Sequence, residues 1–196
     1  MKAVTSFFKN WASSAAQMSG GTSIRGKRAF NAFHSGDYEA MVHLCANMSP
    51  KQFIKEVKED NINILHHCTI KDNYDALAAF CALPYFSEVI NDNDNEDGWT
   101  PLLSACANSN KSDLRLIKLM VDNGADLLHA RKTDGLRSIH FAASNNDVHF
   151  LDYILNTVDN PSSIANLTNH EGWTAAHYAG FLNNFDALNL LIENGA

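Results

Sequence analysis

The chain has 196 residues, 45% of them apolar, with 15 Lys and Arg against 22 Asp and Glu for a net charge of −7. That length supports a sizeable core in one or two domains, and no apolar run approaches the roughly 18 residues of a membrane-spanning helix. The four cysteines have no C-x-x-C or other paired spacing, which predicts a reduced, cytoplasmic protein without a disulfide framework.

Residues 1–27, MKAVTSFFKNWASSAAQMSGGTSIRGK, differ in kind from the rest. Residues 1–36 carry Lys2, Lys9, Arg25, Lys27 and Arg28 and no carboxylate before Asp37. Val4, Phe7, Phe8, Trp11, Ala15 and Met18 share one face at helical spacing, and Ser19-Gly20-Gly21 ends the pattern. This predicts an N-terminal amphipathic helix docking through Phe7, Phe8 and Trp11 on a partner, on a membrane surface or on the chain's own first unit. A basic, Ser-rich, acid-free segment also has the composition of an organellar transit peptide, so mitochondrial tethering is the alternative to a cytoplasmic location. The rest of the chain, 22 acids against 10 bases, offers no basic stripe for nucleic-acid phosphates.

From residue 62 the chain repeats itself. Asn63-Ile64-Leu65-His66, Thr100-Pro101-Leu102-Leu103, Arg137-Ser138-Ile139-His140 and Thr174-Ala175-Ala176-His177 align without gaps at a period of 37, and Gly98, Gly135 and Gly172 keep the same period. Self-similarity at such a period signals stacked supersecondary units. Each unit reads as a glycine turn, a Thr, Ser or Asn that caps a helix, a short first helix of small residues, and a second helix with apolar residues at 3.6 spacing. Ala105-Cys106, Ala142-Ala143 and Ala179-Gly180 are the small pairs of the first helices. Leu116, Ile117 and Met120 mark one second helix, Phe150, Leu151 and Ile154 the next, and Leu188, Leu191 and Ile192 the last. Asn-Gly-Ala closes a helix at 123–125 and again at 194–196.

TPLLSACA at 100–107, SIHFAAS at 138–144 and AAHYAGF at 175–181 resemble the T-P-L-H-x-A signature of the ankyrin-repeat family, and LMVDNGAD at 119–126 resembles the end of its second helix. AFHSGDYEAMVHLCA, within 28–61, reads as a divergent first unit. The resemblance implies an all-α helix-turn-helix solenoid of about five repeats, with units 28–61, 62–94, 95–132, 133–169 and 170–196 behind the N-terminal amphipathic helix. It also implies that His66, His140 and His177 hydrogen-bond backbone near the turns. Two departures stand out. The period exceeds the family's usual 33, with the excess in loops at 109–114 and 158–172. Leu103 replaces the motif histidine. No polar closing helix follows 194–196, which predicts that a partner or further chain covers that end.

A non-catalytic protein-protein interaction module follows, an adaptor or subunit of a larger assembly. The resemblance places His67, Ser104, Phe141 and Tyr178 on the concave face, and Phe181 joins the two aromatics in a contact patch. Trp99 and Trp173, after the turn glycines, either pack over the turns or stand as binding anchors. Asp94, Glu96 and Asp97, in the acidic turn 87–98, attract a basic partner. That turn fails as a calcium loop, because Asp97 takes the glycine place and Leu103 the place of the closing Glu. His66, His67 and Cys68 are the least settled polar trio, from which a metal-dependent hydrolase would have to be built. His66, His140 and His177 occupy one repeat position, spread about 8–10 Å apart per unit, whereas zinc ligands converge within about 2.3 Å of one ion. No metal, cofactor or nucleophile motif is predicted, and Cys45, Cys68, Cys81 and Cys106 read as small core residues.

Overall fold

The computed structural model describes residues 23–196 apart from 60–61, 94–96 and 109–113. Its helices are α1 (Ile24–Ser35), α2 (Tyr38–Cys45), α3 (Pro50–Glu56), α4 (Ile64–Ile70), α5 (Tyr74–Phe80), α6 (Phe86–Val89), α7 (Pro101–Ala107), α8 (Leu114–Asp122), α9 (Ser138–Ser144), α10 (Val148–Asn156), α11 (Pro161–Ala165), α12 (Ala175–Phe181) and α13 (Phe185–Glu193). Among the described residues the only β-structure is an antiparallel pair, β1 (Lys58–Glu59) with β2 (Ile62–Asn63), in register Lys58↔Asn63.

Helices pair within units and stack between them. α1 packs on α2, α4 on α5, α7 on α8, α9 on α10 and α12 on α13. The first helices α4, α7, α9 and α12 form one layer, each touching the next, while α2, α5 and α8, and then α10 and α13, pack in a second layer. Cys68, Cys106, Ala142 and Ala179 are fully buried between first helices, where a small side chain lets the backbones approach. The second helices supply the bulk: Leu77, Phe80, Ile117, Met120, Phe150 and Leu151 are almost wholly enclosed. Burying each such side chain contributes about 1.5–3 kcal/mol.

The caps explain where helices start. Asn63 Oδ1 accepts from the Leu65 and His66 amides, and Thr100 Oγ1 from the Leu103 amide. Ser138 is not a cap. It lies inside α9 and donates to Leu127 O at 2.6 Å, while His140 Nδ1 accepts from the Arg137 amide at 3.1 Å. The reversal between paired helices uses another device. Gly36, Asp72, Asn146 and Asn183 hold positive φ, and the next residue, Asp37, Asn73, Asp147 or Asn184, is the N-cap of the second helix. Asn and Asp tolerate the left-handed region better than other side-chain-bearing residues.

The stretch 158–172 is more than a loop. It folds α11, whose Ile164 and Ala165 are buried and which packs on α10. Asn166 Nδ2 and Ser162 Oγ both donate to Gly195 O, so the insert fastens to the end of α13.

Candidate interaction surface

Three kinds of strut recur along the stack from residue 62 onward. The first is histidine to carbonyl: His66 Nε2 donates to Trp99 O at 3.1 Å and His140 Nε2 to Trp173 O at 3.2 Å. The second is asparagine to the end of the preceding first helix. Asn108 donates to Ile70 O, Asn145 to Cys106 O, and Asn184 to Ala143 O and Ser144 O. The third is turn on turn, with Lys132 N donating to Asp97 O and His170 N to Asp134 O. His66 and His140 are buried, and burial pushes both down to about 4, against the hydrogen bonds to the tryptophan carbonyls that favour the proton.

Trp99 packs over its turn and the adjoining unit. It is 3% exposed, with the Phe141 ring centroid 5.6 Å away and the Arg131 guanidinium 4.4 Å from its own centroid. Arg131 also pairs with Asp134, Nε donating to Oδ1 at 2.8 Å and Nη2 to Oδ2. Burial pushes the Asp134 carboxyl up, but the hydrogen bonds from Arg131 and the Leu136 amide, with the Arg131 charge, hold it below its ordinary value.

This packing corrects part of the expected contact set. Trp99, Ser104 and Phe141 are buried. Ser104 Oγ donates to Thr100 O at 3.1 Å within its own helix, and Phe141 is sealed under Arg131 and Trp99. None of the three is accessible to a partner, so the line from His67 to Tyr178 is interrupted at its centre. His67 is half-buried, edge-on to Phe30 at 5.0 Å. Asp97 is half-buried and its carbonyl carries a turn strut. Asp94, Glu96, Phe7, Phe8 and Trp11 lie outside the described residues.

The aromatics that do gather sit on α12 and in the turn before it. The half-buried Trp173 ring lies 5.4 Å from Tyr178, 5.9 Å from Phe181 and 6.0 Å from His177. Tyr178 OH accepts from Asn169 Nδ2 at 2.9 Å, and burial raises its pKa. Phe181 is 73% exposed. On α13, Phe185 is 63% exposed and was not singled out from the sequence, and Ile192, marked there as an apolar second-helix residue, is 56% exposed. Their helical spacing resembles that of buried second-helix residues, so only a partner helix packed against them would distinguish the two cases.

Among the described residues no three His, Cys, Asp or Glu side chains gather in a way that could hold a metal. Burial pushes the Cys68 and Cys106 thiols up, and Cys45 to about 12. No helix of the described residues is long and apolar enough to cross a membrane.

Paired short helices, turn glycines at a fixed period and histidine struts between turns define a helical-repeat solenoid. Residues 107–196 match the family model for ankyrin repeats, which spans three copies. Residues 107–196 are thus ankyrin repeats. No curated protein matches the chain.

Proposed function

We propose that the chain is a non-catalytic adaptor or subunit that holds a protein partner against the aromatic patch of α12 and α13. Ankyrin repeats are generally protein-protein interaction modules, and units 28–61 and 62–94 extend the stack to five. The observation that carries the reading is the concentration of exposed apolar side chains. Of six large hydrophobics exposed among the described residues, Phe181, Leu182, Phe185 and Ile192 all belong to this one unit. Large exposed apolar side chains gathered on one part of a surface mark interaction sites. Affinity purification with the intact chain beside a Phe181→Ala/Phe185→Ala variant tests it. Both side chains are exposed, so the variant keeps its core. Equal recovery of the same proteins by both removes the patch from the binding site.

A second reading is an organellar, mitochondrial structural subunit tethered by residues 1–27. It draws on the acid-free charge of residues 1–36 and on Arg25, Lys27 and Arg28, all exposed on α1. Cell fractionation with and without residues 1–27 separates it from a cytoplasmic adaptor.

A further inference from the structure

We infer that the inner face of α7 and α9 is the docking site of the chain's own residues 4–18, which lay an aromatic ring on the Arg131 guanidinium. The inference does not depend on the patch of α12 and α13. Helix α7 touches α4 and α9 at its flanks and α8 behind, contacts that leave its inner side to another cover. All seven of its residues are nonetheless buried. Ser104 and Ala107, at the inner repeat positions, are 2% and 5% exposed. Their counterparts His67 and Ile70 on α4, with longer side chains, are only half-buried. A hydroxymethyl and a methyl group have no bulk with which to cover themselves, so the cover comes from outside the helix. Arg131 points the same way. A guanidinium is flat and has two faces. Trp99 lies on one at 4.4 Å, and the Phe141 ring, at 5.9 Å, is beyond stacking distance, yet Arg131 is buried. A further flat group on its second face accounts for that.

Composition selects the occupant. Of the stretches outside the described residues, 60–61, 94–96 and 109–113 contain no apolar side chain, whereas 1–22 holds Phe7, Phe8 and Trp11 on one stripe at helical spacing. A ring from that stripe suits a desolvated guanidinium, which attracts the face of an aromatic. Charge agrees: Lys2 and Lys9 are the only charged side chains before Arg25, and the body they approach carries 22 acids against 10 bases. Length agrees as well. A helix over 4–18 spans about 22 Å at 1.5 Å per residue, and two neighbouring first helices present a face of about 20 Å. Residues 19–23, extended, reach about 17 Å, close to the two helix spacings that separate the start of α1 from α7.

Two measurements on the full chain test it. In the first, a benzophenone side chain replaces that of Phe8, the protein is irradiated in dilute solution, and crosslinks are mapped by mass spectrometry. The expected products join position 8 to α7, to α9 or to the turn that carries Arg131. Crosslinks confined to α1 and α2, crosslinks between two chains, or none at all overturn the inference. The second compares hydroxyl-radical oxidation of Phe141 in the parent chain and in Phe7→Asp/Trp11→Asp, whose substitutions lie outside the repeats. Oxidation of Phe141 should rise severalfold in the variant while that of Phe150, enclosed on α10, stays constant. Equal oxidation of Phe141 in both chains shows that the turns alone seal it and overturns the inference. A joint rise of Phe141 and Phe150 makes residues 4–18 part of the stack's own core instead of a docked segment, and overturns it too. Neither measurement bears on recovery of partners by the α12 and α13 patch, so the two readings fail separately.

Discussion

The Arg131 guanidinium lies over Trp99, a residue of the preceding turn, and reaches Asp134 in its own turn with the same fork. One side chain thus joins two successive turns through a ring face and fixes the turn that leads into α9. Arg131 is itself only 7% exposed, so the charge is desolvated and its partners matter. Arg131→Ala is expected to cost about 3 kcal/mol, because it uncovers Trp99 and leaves a half-buried Asp134 without its cation. Arg131→Lys should recover less than half of that, since a point charge cannot stack and fork together. Urea denaturation of both variants measures the two losses. Equal stability of the lysine variant and the parent chain contradicts the stacked geometry.

Acid should loosen the stack in a defined window. His66 and His140 have an ordinary value of 6.5 and are held near 4 in the fold. Above pH 6.5 both states are neutral and the full stability is present. Below it the unfolded chain takes up protons that the folded chain refuses, so stability falls as pH drops from 6.5 to 4. The limit is on the order of 3 kcal/mol per histidine. Thermal unfolding measured across that range should show a steady loss of Tm, and His140→Gln should flatten the slope by about half. A flat profile in the parent chain would show that these rings are not buried neutral.

Gly135 and Gly172 both hold positive φ, at 74° and 82°, yet their substitutions should differ. Gly172→Ala meets only the backbone cost of the left-handed region, roughly 1–2 kcal/mol. Gly135→Ala adds a Cβ 2.9 Å from the His170 backbone nitrogen, and that nitrogen is already committed to Asp134 O. Its total should reach about 3 kcal/mol or more. Paired denaturation curves decide this, and equal losses would remove the close turn-on-turn contact from the account.

Thiol labelling should follow burial. Cys45, Cys68 and Cys106 are buried, whereas Cys81 is half-exposed just after α5. Burial raises the Cys81 thiol too, so its labelling will be slow near neutral pH, but it should come well before the other three. Mass spectrometry after limited alkylation of the native protein checks the order. Prompt modification of Cys68 would show an open α4.

Much of this architecture could be read from periodicity. The recurrence of Gly98, Gly135 and Gly172 placed the turns, and His66 and His140 took the backbone bonds expected of the motif. Trp99 packed over its turn, one of the two readings open for it. What periodicity could not supply was depth. Phe141 and Tyr178 occupy one repeat position, yet Phe141 is sealed by Arg131 from the neighbouring turn, and no spacing rule reveals that a guanidinium will lie there. The left-handed residue followed by a cap, as at Asn146-Asp147 and Asn183-Asn184, was legible in principle, because paired Asn and Asp between two apolar periodic runs favour such a turn. Helix α11 and the short β1–β2 pair fell in stretches without regular periodicity.

Leu103 stands where three other units carry His66, His140 and His177, and it is buried. Its seam, between α7 and α9, is still crossed by Asn145 to Cys106 O and by Lys132 to Asp97 O, but an aliphatic contact replaces the directional imidazole bond. Leu136 O, at the place of the tryptophan carbonyls, accepts from Arg131 N instead. The buried stack of Arg131 and Phe141 on Trp99 crosses the same seam, so the joint midway along the array is closed by a guanidinium and two rings where its neighbours use an imidazole.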